Sequence, residues 1–189
     1  DGVLDGAFWL RLYWRFNLDG QPLHSGEYRM TPGMTAQGLI GLWQRGEVVQ
    51  YSLTLVEGWN FRQVRSALAK HEKIVQTLAG LTDSEVMDKL GHPGVFPEGR
   101  FFPDTYRFVR GMTDVEFLKK AYNRLDDVLA QEWSKRAADA PYTDPYQALI
   151  MASLVEKETG IPQERGQIAG VFVRRLRLGM MLQTDPTVI

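Results

Sequence analysis

The chain has 189 residues, of which 44% are hydrophobic and 24% charged, with a net charge of −1. That suits one sizeable core, or a small domain joined to a larger one, and gives no general pull toward nucleic acid or an anionic membrane. With no cysteine, disulfides, Cys-ligated zinc and a Cys nucleophile are excluded; His24, His71 and His92 are too scattered for a metal site at short spacing, so no metal or cofactor is expected.

In chain order, Leu4 to Phe16 is aromatic and periodic and predicts an amphipathic helix. "SGEYRM" alternates as a short strand, and "TPGMT" is a turn. "AQGLIGLWQRG" predicts a helix stopped by Gly46, "VVQYSLTLV" a strand rich in β-branched residues, and "NFRQVRSALAKH" a second helix. Gly33–Trp43 and Gly58–Leu68 form a weak internal repeat, each copy following a strand-like segment, which suggests a small α+β module. Trp43 and Trp59 fit its core better than they fit a ligand platform.

"LTDSEVMDKLG" carries a capping box at Thr82 and Glu85 and closes on Gly91. The following "HPGVFPEGRFFPDTYRF" (92–108) has too many breakers for a helix and too many aromatics for an idle linker. A long amphipathic helix then starts at a second capping box, Thr113 and Glu116, with Val115, Leu118, Leu125, Val128, Leu129 and Trp133 on its apolar face. Asp144 and Pro145 open the next helix, and Gly160 and Pro162 stop it. The last helix runs to Gly179, with Arg174, Arg175 and Arg177 on a solvated end, and "MMLQTDPTVI" is extended with a turn at Asp185-Pro186.

The helix from Pro145 ends on "EKET", two glutamates around a lysine. At 100° per residue, Glu158 falls beside Gln147, Met151 and Leu154, while Glu156 falls on the other flank near Leu149 and Ala152. The two therefore do not form a two-carboxylate site. The last turn is the negative end of the helix dipole, which favours the protonated form of a carboxylic acid. An apolar surround at Met151 and Leu154 would act in the same direction. A protonated carboxyl group is what cleavage of a glycosidic bond needs as general acid. Against this stands the plainer reading of two solvated residues at a frayed helix end.

The "EKET" run, the "ER…VF.RRL..GM.LQTDPTV" run and the upstream "PEGRFFPDTYRF" together resemble, in order and spacing, the YceG-like family of endolytic murein transglycosylases. "SGEYRMTPGMTAQGLIGLWQRGE" is similar to the LysM-like subdomain of that family. The resemblance implies an α+β fold. A small LysM-like α/β module would span residues 1–52, or extend to about 75, followed over 53–189 by a mainly helical, lysozyme-like catalytic domain. It also implies that this domain continues past Ile189 and that an N-terminal membrane anchor precedes the chain.

The implied activity is lytic cleavage of the β-1,4 bond between N-acetylmuramic acid and N-acetylglucosamine within peptidoglycan strands, leaving 1,6-anhydromuramic ends. The implied catalytic residue is the second glutamate of "EKE", Glu158, followed by Thr159 in a pair that resembles the Glu-Ser pair of other lytic transglycosylases. Glu98, Asp104, Thr105 and Tyr106, with Gln183, Thr184 and Asp185, are candidate glycan-groove residues. For Glu98, Tyr106 and Gln183 the groove is balanced by a structural turn, and for Phe101 and Phe102 structure is the better account. Glycan strands are the implied substrate, peptidoglycan synthases (penicillin-binding proteins) candidate partners, and the periplasmic face of the bacterial inner membrane the implied location. The alternative is a non-catalytic peptidoglycan-binding or synthase-scaffold protein.

Overall fold

The computed structural model describes residues 24–184, together with Phe8 and Arg15. Apart from those two residues, the helix expected over 4–16 lies outside this range, as do Asp185 and the turn after it. The described chain is α+β. It runs α1 (Ala36–Arg45), β1 (Gln50–Thr54), α2 (Phe61–Lys70), α3 (Asp83–Leu90), β2 (Thr105–Val109), α4 (Asp114–Ser134), α5 (Pro145–Glu158) and α6 (Arg165–Arg177).

The helix boundaries follow local chemistry. Thr35, Asn60, Thr82, Thr113 and Asp144 each cap a helix N-terminus with a side-chain oxygen, satisfying amides that have no partner inside the helix. The capping boxes at Thr82/Glu85 and Thr113/Glu116 form as expected, and Asn60/Gln63 makes a third. Gly46 ends α1 with φ 62°, a left-handed turn that glycine adopts without penalty.

Two sequence expectations are corrected here. "SGEYRM" is not a strand: residues 24–30 touch the segment just before β1 through Val49 N–H to the Glu27 carbonyl (2.7 Å) but build no ladder. The first copy of the repeat therefore has no strand before its helix. Gly26 passes so near Val48 that a Cβ there would lie 2.4 Å from Val48 Cγ1. Conversely, 105–109 is a strand. It was hidden behind the prolines and glycines of the preceding loop, yet it alternates cleanly, with Tyr106 and Phe108 inward.

β1 and β2 pair antiparallel across a long connection, in the register Tyr51↔Phe108 and Leu53↔Tyr106. A two-stranded sheet is marginal alone. This one is held by α4: Phe117 meets Tyr106 and Phe108 edge-on at ring-centroid distances of 5.3 and 6.0 Å. Around them a first core gathers residues from Leu55 to Tyr122, with Trp59 packed at its margin. Of the two domain boundaries expected, after residue 52 or near 75, the first falls inside β1. Within the aromatic loop, Phe101 stacks on Phe61 at 5.1 Å and the Phe102 amide bonds the Ala121 carbonyl, so both phenylalanines serve structure.

A second, smaller core lies between α5 and α6. Met151, Leu154, Val155 and Phe172 are buried, with Tyr142, Ile168, Ala169 and Leu182 packed around them. The arginines ending α6 do not form a simple solvated face. Arg177 donates to the Asp139 carbonyl (2.9 Å) and carboxylate (2.6 Å), and Arg175 donates to the Leu182 carbonyl. They tie the helix end to the turn before α5 and to the extended tail. Arg100 of the aromatic loop links the two cores by lying 3.9 Å over the Tyr146 ring.

Candidate functional site

α5 is opened by two capping bonds: Asp144 accepts from Gln147 N–H at 3.0 Å, and the Gln147 side chain accepts from Thr143 N–H, one residue before the cap, at 2.9 Å. Its last turn buries Leu154 and Val155 against α6 and carries Glu156, Lys157 and Glu158 out to solvent. The apolar surround expected for Glu158 is therefore not formed; Met151 and Leu154 turn into the core, and Glu158 stands exposed at its edge.

The two glutamates differ in their partners. Glu156 is paired with Arg165 at 2.8 Å. Glu158 makes no ion pair among the described residues; its Oε1 accepts a hydrogen bond from the Thr184 hydroxyl. The tail reaches it by a local reversal. Leu182 packs on the second core, Gln183 takes φ 52°, and Thr184 then faces the end of α5. A left-handed φ is uncommon for a residue with a Cβ and costs about 1–2 kcal/mol, so the surrounding contacts must hold it.

Thr159 follows Glu158 in extended conformation (φ −148°, ψ 135°) and is buried, with only 7% of its surface exposed. Its hydroxyl donates to Glu164 at 2.9 Å and accepts from Ile161 N–H at 3.0 Å. Lys157 points the other way, its Nζ 3.9 Å from where a side chain on Gly58 would begin. The end of α5 thus borders the turn between β1 and α2.

The remaining candidates divide. Glu98 accepts from Phe61 N–H at 2.8 Å, satisfying the first amide of α2. Asp104 accepts from its neighbour Thr105 N–H at 2.7 Å, and the Thr105 hydroxyl pairs with Thr54 across the sheet at 2.8 Å. Tyr106 is a correction to the groove reading. It is 5% exposed, its hydroxyl donates to the Phe102 carbonyl at 2.6 Å, and burial pushes that hydroxyl up to about 12, with Asp104 adding to the shift. It belongs to the core, with almost no surface for a glycan to meet. Structure thus brings Glu158 and Thr184 together beside Gln183, while Glu98, Asp104, Thr105 and Tyr106 sit in the first core unit. Sequence reasoning missed Glu164 and Arg165 as neighbours of the site. Their only signal is the "ER" pair six and seven residues after Glu158.

The chain matches the YceG-like family over residues 1–189. It is 29% identical over 184 residues to the endolytic murein transglycosylase of Bacillus subtilis (strain 168), a match covering 87% of this chain and 50% of that protein. With the endolytic murein transglycosylase of Streptococcus pneumoniae serotype 2 (strain D39) it shares 25% identity over 203 residues, covering 88% of this chain and 35% of the relative. The chain therefore spans half or less of the length of these relatives. The crystal structure of a yceG-like protein from Listeria monocytogenes aligns with a TM-score of 0.51 at 22% identity, covering 97% of this chain and 66% of that one, which supports the fold.

Proposed function

Because the chain belongs to the YceG-like family, we propose that it forms part of an endolytic peptidoglycan lytic transglycosylase with Glu158 as its acid and base. The relatives from Bacillus and Streptococcus, both endolytic murein transglycosylases, support the reaction class. The observation that carries the assignment to Glu158 is the contrast within "EKE". Both are exposed, but Glu156 is ion-paired with Arg165, whereas the Glu158 carboxylate is contacted by a hydroxyl and has no ion pair among the described residues.

One carboxyl group suffices for the lytic reaction. Protonated Glu158 gives its proton to the glycosidic oxygen as the bond from that oxygen to C1 of N-acetylmuramic acid breaks, and the N-acetylglucosamine leaves with a free 4-hydroxyl. The substrate's N-acetyl group stabilises the cationic C1. The muramic 6-hydroxyl then attacks C1 and gives its proton to the ionised Glu158, closing the 1,6-anhydro ring and restoring the acid. Hydrolytic glycosidases instead place a second carboxylate about 5–5.5 or about 6.5–9.5 Å away to act as nucleophile or to activate water. Intramolecular attack by the 6-hydroxyl has the advantage of a high effective molarity.

In this reading the first core unit and the residues before it include the LysM-like module, and the α5–α6 pair belongs to the lysozyme-like part. Gln183 and Thr184 border the reacting sugar. The enzyme acts at the periplasmic face of the inner membrane, beside peptidoglycan synthases. The test is release of anhydromuropeptides from purified peptidoglycan by the full-length protein, followed by mass spectrometry. Wild type should yield internal cuts with 1,6-anhydro ends, and Glu158→Gln should yield none while still binding the polymer. Absence of anhydro products from the wild type would sink the proposal in favour of a binding or scaffold role.

A further inference from the structure

A carboxylate on the last residue of a helix is poorly placed for catalysis unless something stops that turn from fraying. Glu158 is such a residue. Two links cross from the start of α6 to the end of α5, one on each side of it in sequence. Before it, Arg165 Nη2 holds Glu156 Oε2 at 2.8 Å. After it, Glu164 Oε2 accepts from the Thr159 hydroxyl at 2.9 Å. That hydroxyl is buried and satisfied twice, because it also accepts from Ile161 N–H at 3.0 Å.

Glu164 makes its link from a helix start that has no side-chain cap. It occupies the N-cap position of α6, yet its carboxylate caps none of that helix's amides. Every other described helix carries a side-chain cap at that position. With φ −87° and ψ −21°, helical rather than extended, Glu164 is not set up to cap α6, which leaves its carboxylate available to the residue after Glu158.

We propose that Glu164 and Arg165 are positioning residues that clamp the last turn of α5 on both sides of Glu158 and so fix the direction of its carboxylate. The inference rests on Glu158 being the acid. The clamp contributes orientation and no proton. Misplacement of a reacting group by about 1 Å is enough to cost on the order of 100-fold in rate. Its loss therefore lowers kcat while leaving the binding of distant sugars, and hence KM, nearly untouched.

The experiment uses the full-length protein and anhydromuropeptide release at several glycan concentrations, with thermal melting to confirm folding at the assay temperature. Glu164→Ala should lower kcat at least ten-fold at unchanged KM, and Glu164→Gln, which keeps an acceptor oxygen for Thr159, should recover most of that loss. Arg165→Met, which cuts the other link, should lower kcat in the same way. A Glu164→Ala protein with kcat within two-fold of wild type, alongside an inactive Glu158→Gln, would overturn the clamp and leave the catalytic reading standing. Equal losses in Glu164→Gln and Glu164→Ala would also overturn it. An active Glu158→Gln would refute the catalytic reading and the clamp with it.

Discussion

Asp114 offers the sharpest test of how the first core is held. It is the first residue of α4 and only 3% exposed. Its carboxylate accepts from Thr77 N–H at 3.0 Å and Leu78 N–H at 2.9 Å, from the Thr77 hydroxyl, and from its neighbour Val115 N–H at 2.9 Å. Beside it, Val75 and Thr113 form an isolated parallel bridge. One side chain therefore anchors the 75–78 segment to the start of a long helix. In Asp114→Ala, two amides of that segment face a methyl group. A stranded buried donor costs about 1–3 kcal/mol, so two give about 2–6 kcal/mol. Removing a buried carboxylate also relieves its desolvation penalty, and water entering the gap would satisfy part of the rest, which brings the expectation down from the upper end of that range to about 3–4 kcal/mol. At about 2–4 °C per kcal/mol for a protein of this size, the melting temperature should fall by roughly 6–16 °C. Asp114→Asn keeps one acceptor oxygen and should lose about half as much. Urea denaturation with both variants measures this directly. An Asp114→Ala protein within about 1 kcal/mol of wild type would refute the reasoning, because the segment would then be held by packing alone.

Two further outcomes follow from local geometry. Gly26→Ala puts a methyl 2.4 Å from Val48 Cγ1, a stiff β-branched neighbour, and should destabilise by about 1–3 kcal/mol in the same denaturation assay. The Thr113 amide and hydroxyl hold the Glu116 carboxyl below the usual glutamate range. A depressed folded-state value means that the stabilisation is present above the unfolded-state value and is lost as pH falls through the folded one. Thermal melts should therefore show wild type and Glu116→Gln furthest apart near neutral pH and converging in acid. A gap that does not change with pH would count against the charged cap.

Much of the fold was legible because its signals are local. Thr82 with Glu85, Thr113 with Glu116, and Asp144 with Pro145 each announce a helix start within four residues, and the structure places helices at all three. Strands were harder. "SGEYRM" alternates, but alternation does not create a partner, and none lies alongside 25–30 as a ladder. Residues 105–109 have a partner, β1, about fifty residues away, which no local pattern could disclose. For Tyr106 the sequence leaves groove and structural turn in balance, and what decides for structure is packing on Phe117 of α4 and pairing with the distant Leu53.

The candidate site divides along the same line. Helical spacing alone separates Glu156 from Glu158, because a difference of two residues sends them to different flanks. What then distinguishes them chemically comes from elsewhere in the chain. Arg165 takes Glu156, Glu164 takes Thr159, and Thr184, brought round by the left-handed Gln183, meets Glu158. The "ER" pair and the "QT" pair in the sequence resemble an ordinary helix start and an ordinary tail until they are set against the end of α5. Placed there, each supplies a contact at a different point of a single helical turn. The apolar residues of that turn go to the core, its first glutamate to an arginine and its threonine to Glu164. Of the two exposed carboxylates on that turn, Glu156 is held by an arginine, and Glu158 is left with a hydroxyl as its neighbour.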